Sequence, residues 1–263
     1  MLGGYAIAGL VCLGWEDARA YVEAAEETGI PIILQAGPGC RQYTPVPILG
    51  KMFRHLADQA SVPVVCHIDH GYTLQECVEG IDNGFTSVMF DGSKLPISEN
   101  IDKTAAIVEL ASAAGVSVEG EVGFVGYADG AASAGTSPNE AARFDKESGA
   151  DALAISVGNV HLKTEKTAGI NIPLLREIET VTTLPLVLHG GSGIPVNVRS
   201  ELARNSRVAK FNIGTELRMA FGNALRRSVS EQPDTFDRVS LLFPTIEPVK
   251  KATKSVISAF GRT

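Results

Sequence analysis

His67, Asp69 and His70 stand within four positions of one another in the stretch Cys66-His67-Ile68-Asp69-His70-Gly71, directly after the apolar run Val62-Pro63-Val64-Val65. The chain has only five histidines, so two in so short a stretch is a concentration. Imidazole beside carboxylate suits three purposes: holding a divalent metal, moving protons, or satisfying the backbone of a tight turn. Other polar residues follow short apolar runs in the same way. Asp91 and Ser93 follow Phe90, Glu119 and Glu121 close the run around Val118, and Asn159 and His161 follow Val157. His189 leads into Gly190, Gly191 and Ser192, and Asn212, Gly214 and Thr215 close the last such run.

The elements that carry these residues are short β-branched runs at regular intervals: 5–11, 30–35, 62–66, 87–90, 116–122, 152–157, 185–188 and 208–213. Most are continuous apolar stretches rather than alternations, as strands buried on both faces should be. Helical spacing lies between and after them. Residues 16–28 set Ala18, Tyr21, Val22 and Ala25 on one face and stop at Gly29. Residues 97–114 stop at Gly115, Pro195 opens a helix after a glycine-rich loop, and 216–229 and 244–260 follow the last strand. Eight strands alternating with helices predict a (β/α)8 TIM barrel, in one domain spanning 1–263. An open doubly wound sheet is the alternative, but no G-x-G-x-x-G turn follows an early strand. The longest loop, 124–138, is built of small residues, and loops of that length are usually functional.

In such a barrel the chemistry sits at the C-terminal ends of the strands, where all these polar residues fall. A single strand-end histidine is ordinarily a hydrogen-bonded structural residue. Three of them, His70, His161 and His189, match a catalytic zinc site with an open fourth position. The other two histidines are His67 and His55, the latter inside a helical stretch. Asp91 and Glu121 are either carboxylates paired with buried cations or supports and accessory ligands of the metal. The turn Gly190-Gly191-Ser192 opens a helix, and Asn212, Gly214 and Thr215 follow the eighth strand. Together they form the expected phosphate site, built from backbone N–H groups and a helix N-terminus. Lys163 and Lys210 are the lysines that a Schiff-base mechanism would need, but neither explains the histidines.

Composition narrows the function further. The 263 residues are 44% hydrophobic and 20% charged, which is globular. A net charge of −7 argues against nucleic-acid or anionic-membrane partners. Four cysteines without a CxxC pair predict reduced thiols and a cytoplasmic protein without a targeting peptide. No apolar stretch approaches the roughly 20 residues of a membrane span.

The motifs HIDHG, GFTSVMFDGSKLPISENI, VEGEVG, SVGNVH, LVLHGGSG and KFNIGT occur in the order and spacing of one family. Over essentially its whole length the chain resembles the class II, metal-dependent fructose/tagatose-bisphosphate aldolases. The resemblance implies a zinc-dependent aldol cleavage and condensation of a ketose phosphate to dihydroxyacetone phosphate and an aldehyde, a reaction of glycolysis and carbohydrate metabolism. It implies zinc on His70, His161 and His189, with Asp91 and Glu121 at accessory metal positions. Asp69 matches the acid that handles the C4 hydroxyl proton. Asp129 stands where the family carries a loop glutamate for the C3 proton. Gly190, Gly191, Ser192, Asn212, Gly214 and Thr215 match phosphate- and substrate-binding positions. A monovalent cation (Na+ or K+) beside the phosphate and a homodimer or homotetramer are further implications. The chain departs from the family in lacking its opening helix. It also has Leu10-Val11-Cys12-Leu13 in place of an Asn-containing first strand end, Ala36-Gly37 in place of a serine, Leu162 in place of a glycine, and Asp129 in place of the glutamate pair. The alternatives are a deoxy-sugar, keto-acid or non-phosphorylated substrate, or a non-catalytic partner subunit.

Overall fold

The computed structural model describes residues 4–128, 130 and 132–261. Eight strands pair in parallel and in sequence order, and the eighth closes on the first. They are β1 (Ile7–Val11), β2 (Ile32–Ala36), β3 (Val64–Gly71), β4 (Ser87–Phe90), β5 (Ser117–Val122), β6 (Ala152–Ile155), β7 (Leu186–Leu188) and β8 (Val208–Ile213). Closure runs through the register Ile7 to Lys210 and Leu10 to Ile213. The chain is thus the (β/α)8 barrel that its sequence predicts.

Helix boundaries follow local chemistry. The first helix, Trp15–Thr28, ends at Gly29, whose φ of 69° is costly for any residue with a Cβ. Thr73 and Glu76 form a reciprocal capping box at the start of Leu74–Asp82. Ile97–Ala113 stops before Gly115, which also has positive φ. The helix expected over 244–260 is divided, with a helix at Ile246–Ile257 between the 3-10 turns Phe243–Thr245 and Ser258–Phe260. Two short helices, Pro38–Tyr43 and Arg238–Leu242, carry no readable period. Among the described residues no helix is long and apolar enough to cross a membrane.

Alternation along the strands sorts the side chains. Leu34, Ile68, Val88, Phe90, Val118, Leu153, Ile155, Leu188 and Phe211 point outward into the main core, shared with the helices. The inward positions are largely polar yet buried: Gln35, His67, Asp69, Glu119, Glu121, Lys210 and Asn212. Among the described residues, Met89, Ala154 and Val187, with Ala152 at their edge, form a small apolar cluster of their own. The barrel is therefore stabilised from outside, by helices packed on its sheet, while its inside is given over to polar groups.

The packing outside is close enough to test. Gly120 on β5 lies against the Phe144 ring, and a Cβ there would collide with it. Gly120→Ala should cost about 1–3 kcal/mol, the usual range for overpacking a core. Urea-unfolding midpoints would measure the loss.

Candidate active site

β3 was expected to end at residue 66 but continues through Gly71, so Asp69 and His70 lie inside the strand. Its pairing with β4 slips between Ile68 and Gly71, and His70 takes a φ of 53°, the left-handed region that non-glycine residues avoid. Arg41, on the short helix Pro38–Tyr43, holds this turn. Its Nη1 donates to the carbonyls of Ala36 and Asp69, both at 2.6 Å, and its Nη2 donates to the carbonyl of His70 at 2.9 Å. Sequence reasoning missed Arg41, because a six-residue helix shows no hydrophobic period.

The strand order then gathers His70, His161 and His189. One nitrogen from each falls within 4.8 Å of the other two. The His70 and His189 ring centroids are 4.6 Å apart, and His70 and His161 5.4 Å. A second group joins His70, Asp91 and Glu121 within the same limit. His70 Nδ1 is 2.8 Å from Asp91 Oδ2, and Asp91 Oδ1 accepts from the Ser93 amide and hydroxyl. That bond occupies Nδ1 and leaves Nε2 as the free nitrogen of His70. His189 is held at Nε2 by Glu119 Oε1, 3.0 Å away, so its Nδ1 is the free one.

His161 is tied to the 124–138 loop. Its amide donates to the Gly126 carbonyl and its carbonyl accepts from the Ala128 amide, while Tyr127 stacks on its ring at 4.9 Å. Leu162, which replaces the family's glycine, has a φ of 60° and is half-exposed beside the site. Asn159 pins the adjoining turn, accepting from the Val157 amide and donating to the carbonyl of His189. Asp129 lies outside the described residues.

A small cleft on the rim is walled by Asp69, His161, Gly190, Ser192, Asn212, Gly214 and Thr215, joined by Leu162 and Arg218. Gly190 has a φ of 63°, and a Cβ on it would run into the Val160 carbonyl. Gly191 is buried between Gly190 and Ser192, where a Cβ would press on the Asn212 carbonyl. Ser192 Oγ accepts from the amides of Gly214 and Glu216, at 3.2 and 3.3 Å, at the head of the helix Thr215–Glu231. Its own O–H proton is thereby left for another acceptor. Arg218 was not anticipated. Its place three residues past Thr215, one turn into that helix, was the available signal.

Electrostatics mark the histidines as a cation site. Burial would lower the His70 imidazole, but Asp69, Asp91 and Glu121 outweigh it and raise it to about 9. Burial and then Asp91 push Glu121 well above the usual carboxylate range. Burial opposes ionisation of Asp69 too, yet His70 and His189 hold it below its ordinary value. Burial lowers His161 to about 3, with His189 and His70 adding to the effect. Asp69 and Asp91, both held ionised, carry more negative charge than the one His70 cation balances, and Glu121 beside them is driven to stay protonated until further positive charge arrives. Among the described residues, His189 Nδ1 and Glu121 Oε2 are buried without a hydrogen-bond partner. Neutral imidazoles at His161 and His189, an orphaned nitrogen on the latter, and a His70 whose proton a metal would displace among carboxylates fit a divalent ion with nitrogen ligands.

The whole chain, residues 1–263, matches the family model described as class-II fructose-bisphosphate aldolase. The chain belongs to that family. It is 38% identical over 265 residues to the 6-phospho-5-dehydro-2-deoxy-D-gluconate aldolase of Bacillus licheniformis, covering 98% of this chain and 90% of the relative. It is 35% identical over 270 residues to the fructose-bisphosphate aldolase of Staphylococcus epidermidis, covering 98% and 92%. The crystal structure of the YdjI aldolase from Escherichia coli K12 superposes with a TM-score of 0.83 at 30% identity, covering 98% of this chain and 92% of that one. This class II aldolase is therefore a lyase, of a family that is generally metal-dependent.

Two predictions follow from the geometry. Arg41→Ala strips three buried carbonyls of a charged donor and should cost about 3 kcal/mol, since each orphaned group costs roughly 1–3 kcal/mol less whatever water recovers. Thermal and urea unfolding would show it. The second concerns pH. His161 and His67 are both held neutral to about 3, His67 by burial and then Lys210. In the unfolded chain they ionise near 6.5. The unfolded state therefore binds more protons between about pH 6.5 and 3, and stability falls as pH drops through that window. His70, raised to about 9, adds stability that is complete below about 6.5 and is lost as pH rises through 9. Chelator-treated protein should thus be most resistant to urea near pH 6.5, and midpoints at pH 4, 6.5 and 9 would check this.

Proposed function

We propose that this enzyme is a zinc-dependent aldolase that cleaves and forms a carbon–carbon bond in a ketose phosphate of the fructose- or tagatose-bisphosphate type, giving dihydroxyacetone phosphate and an aldehyde. The observation that carries the reading is the meeting of His70, His161 and His189 beside Asp69, over a cleft walled by Gly190, Ser192, Gly214 and Thr215. His70, His161 and His189 would hold the metal. Asp91 would steady His70 through Nδ1, and Glu121 would offset the metal's charge. Bound there, zinc supplies Lewis-acid stabilisation of the negative charge that develops on the ketose carbonyl oxygen.

The remaining work falls to the chain's own groups. Asp69 is held ionised, and Asn212 Nδ2 donates to its Oδ1 at 3.1 Å, which fixes the carboxylate. In cleavage it takes the proton from the C4 hydroxyl as the C3–C4 bond breaks and the C4 oxygen becomes the aldehyde carbonyl. In condensation it returns that proton. The Ser192 hydroxyl donates to a phosphate oxygen at the N-terminus of the helix Thr215–Glu231, where the helix dipole favours an anion. A monovalent cation beside that phosphate completes its charge balance. Asp129 is the acid assigned to the C3 proton.

A second reading keeps the chemistry and changes the substrate to a phosphorylated deoxy keto-acid. The relative that shares 38% identity carries such a name, and this chain has Leu10-Val11-Cys12-Leu13 and Ala36-Gly37 where the resemblance leads one to expect an asparagine and a serine. Lys210 is unsuited to a Schiff base, because it is buried and paired with Glu119. We further read residues 1–263 as one cytoplasmic aldolase domain that assembles as a homodimer or homotetramer. Trp15, Val239 and Phe243 line one exposed, largely apolar groove suited to such a contact.

EDTA should abolish cleavage and zinc should restore it. Asp69→Ala should keep zinc while turnover falls roughly 10²- to 10⁴-fold. A panel of ketose mono- and bisphosphates and a phosphorylated deoxy keto-acid, assayed with and without chelator, would separate the two substrate readings. Full activity in metal-free protein would sink both.

A further inference from the structure

We infer that Glu119 and Lys210 are positioning residues that fix the tautomer of the His189 imidazole, and so decide which of its nitrogens faces the metal site. The inference rests on the metal-dependent reading above. Hydrogen-bond direction is forced along the network, because an ammonium has donors only and an ionised carboxylate acceptors only. Lys210 Nζ lies 2.7 Å from Glu119 Oε2 and 3.2 Å from His67 Nε2, so both of these atoms accept. The His67 proton is then on Nδ1, which donates to Ser87 Oγ at 2.8 Å. With Oε2 taken by Lys210, Glu119 Oε1 accepts from His189 Nε2 at 3.0 Å. A neutral imidazole has one N–H, so the lone pair of His189 is left on Nδ1. That atom is buried and without a hydrogen-bond partner among the described residues, and it belongs to the ring that meets His70 and His161.

Burial makes the arrangement strict. His67, Glu119, His189 and Lys210 are at most 6% exposed. A cavity of about 230 Å³ reaches His67, Ser87, Glu119 and Lys210, but His189 is wholly buried and stands off its lining, so a lost partner of that imidazole is not replaced from it. The members come from β3, β4, β5, β8 and the end of β7, so the network crosses the barrel beneath the site. Without Lys210, Glu119 is an unpaired buried anion. With glutamine at 119, the amide oxygen turns to Lys210 and the NH2 group turns to His189. Nε2 must then accept, and the proton moves to Nδ1, the nitrogen a metal needs.

The test uses full-length protein with 15N-labelled histidine. Two-bond nitrogen–proton NMR on chelated protein reads the tautomer, and competition with a chromophoric chelator reads zinc affinity. The wild type should show His189 as Nε2–H. Glu119→Gln should shift it toward Nδ1–H and weaken zinc binding 10- to 100-fold, the usual effect of losing a ligand's outer partner. Lys210→Met should weaken zinc in the same direction. A folded Glu119→Gln variant with unchanged tautomer and zinc affinity, and only a lower Tm, would overturn the inference. So would wild-type His189 found as Nδ1–H, a result that needs no variant to fold. Failure of the wild type to bind zinc would instead count against the metal reading, and the tautomer would still decide this one.

Discussion

The barrel's interior depends on one buried ion pair, Lys210 with Glu119. Each is taken out of water, and neither is tolerable alone: breaking such a pair by removing one partner costs about 3–5 kcal/mol. An apolar pair of similar volume would stabilise the fold as well or better, so stability does not explain its presence. Orientation does. A hydrocarbon cannot dictate which nitrogen of His189 carries a proton, whereas a carboxylate anchored by an ammonium can. The cost is spread over the outward core, where the strands and helices bury the bulk of the large apolar side chains.

The rim above is built on local backbone strain. His70 and Leu162 are the two described non-glycine residues with positive φ, and they fall on one site histidine and immediately after another. The left-handed conformation costs such residues about 1–2 kcal/mol each. Arg41 offsets it on β3 by taking three carbonyls at once, two of them those of Asp69 and His70. Around His161 the compensation is a two-bond ladder to Gly126 and Ala128, with Tyr127 stacked on the ring. The two histidines are thus aimed by different devices, a buried cation in one case and a folded-back loop in the other. Loss of either would let the backbone relax and carry an imidazole away from the cluster.

What the sequence made legible tracks how local the signal is. Strand spacing and apolar runs gave the barrel and its rim, and Gly29 and Gly115 marked helix ends because only a left-handed residue stops a helix there so cheaply. The apolar run stops at residue 66 whereas β3 continues to Gly71, because His67, Asp69 and His70 break a pattern in which both faces of a strand are apolar. In this barrel the inner face is polar, and alternation rather than hydropathy was the true signal. Arg41, Tyr127 and the partnership of Glu119 with Lys210 were out of reach. Their roles arise from pairings 28, 34 and 91 residues apart, which periodicity does not encode.

The rim is chemically lopsided, and that bears on how the chain came to differ at its substrate end. Its polar groups stand on β3, β5 and β8 and on the segments that follow β4, β6, β7 and β8. At the end of β1, Cys12 is buried and its thiol is spent on the Gly14 carbonyl, while Leu13 projects half-exposed. At the end of β2, Ala36 is buried and Gly37 leaves the approach to Asp69 open, a Cβ there falling 3.4 Å from Oδ2. The residues proposed for proton transfer, phosphate binding and metal ligation all stand on the polar side. The β1 and β2 side is not without buried polar groups, because the Gln35 amide on β2 finds no hydrogen-bond partner among the described residues. Two departures of this sequence, Leu10-Val11-Cys12-Leu13 and Ala36-Gly37, lie on that side, whereas Leu162 and Asp129 fall in sequence after β6 and β5, so the polar side has changed as well.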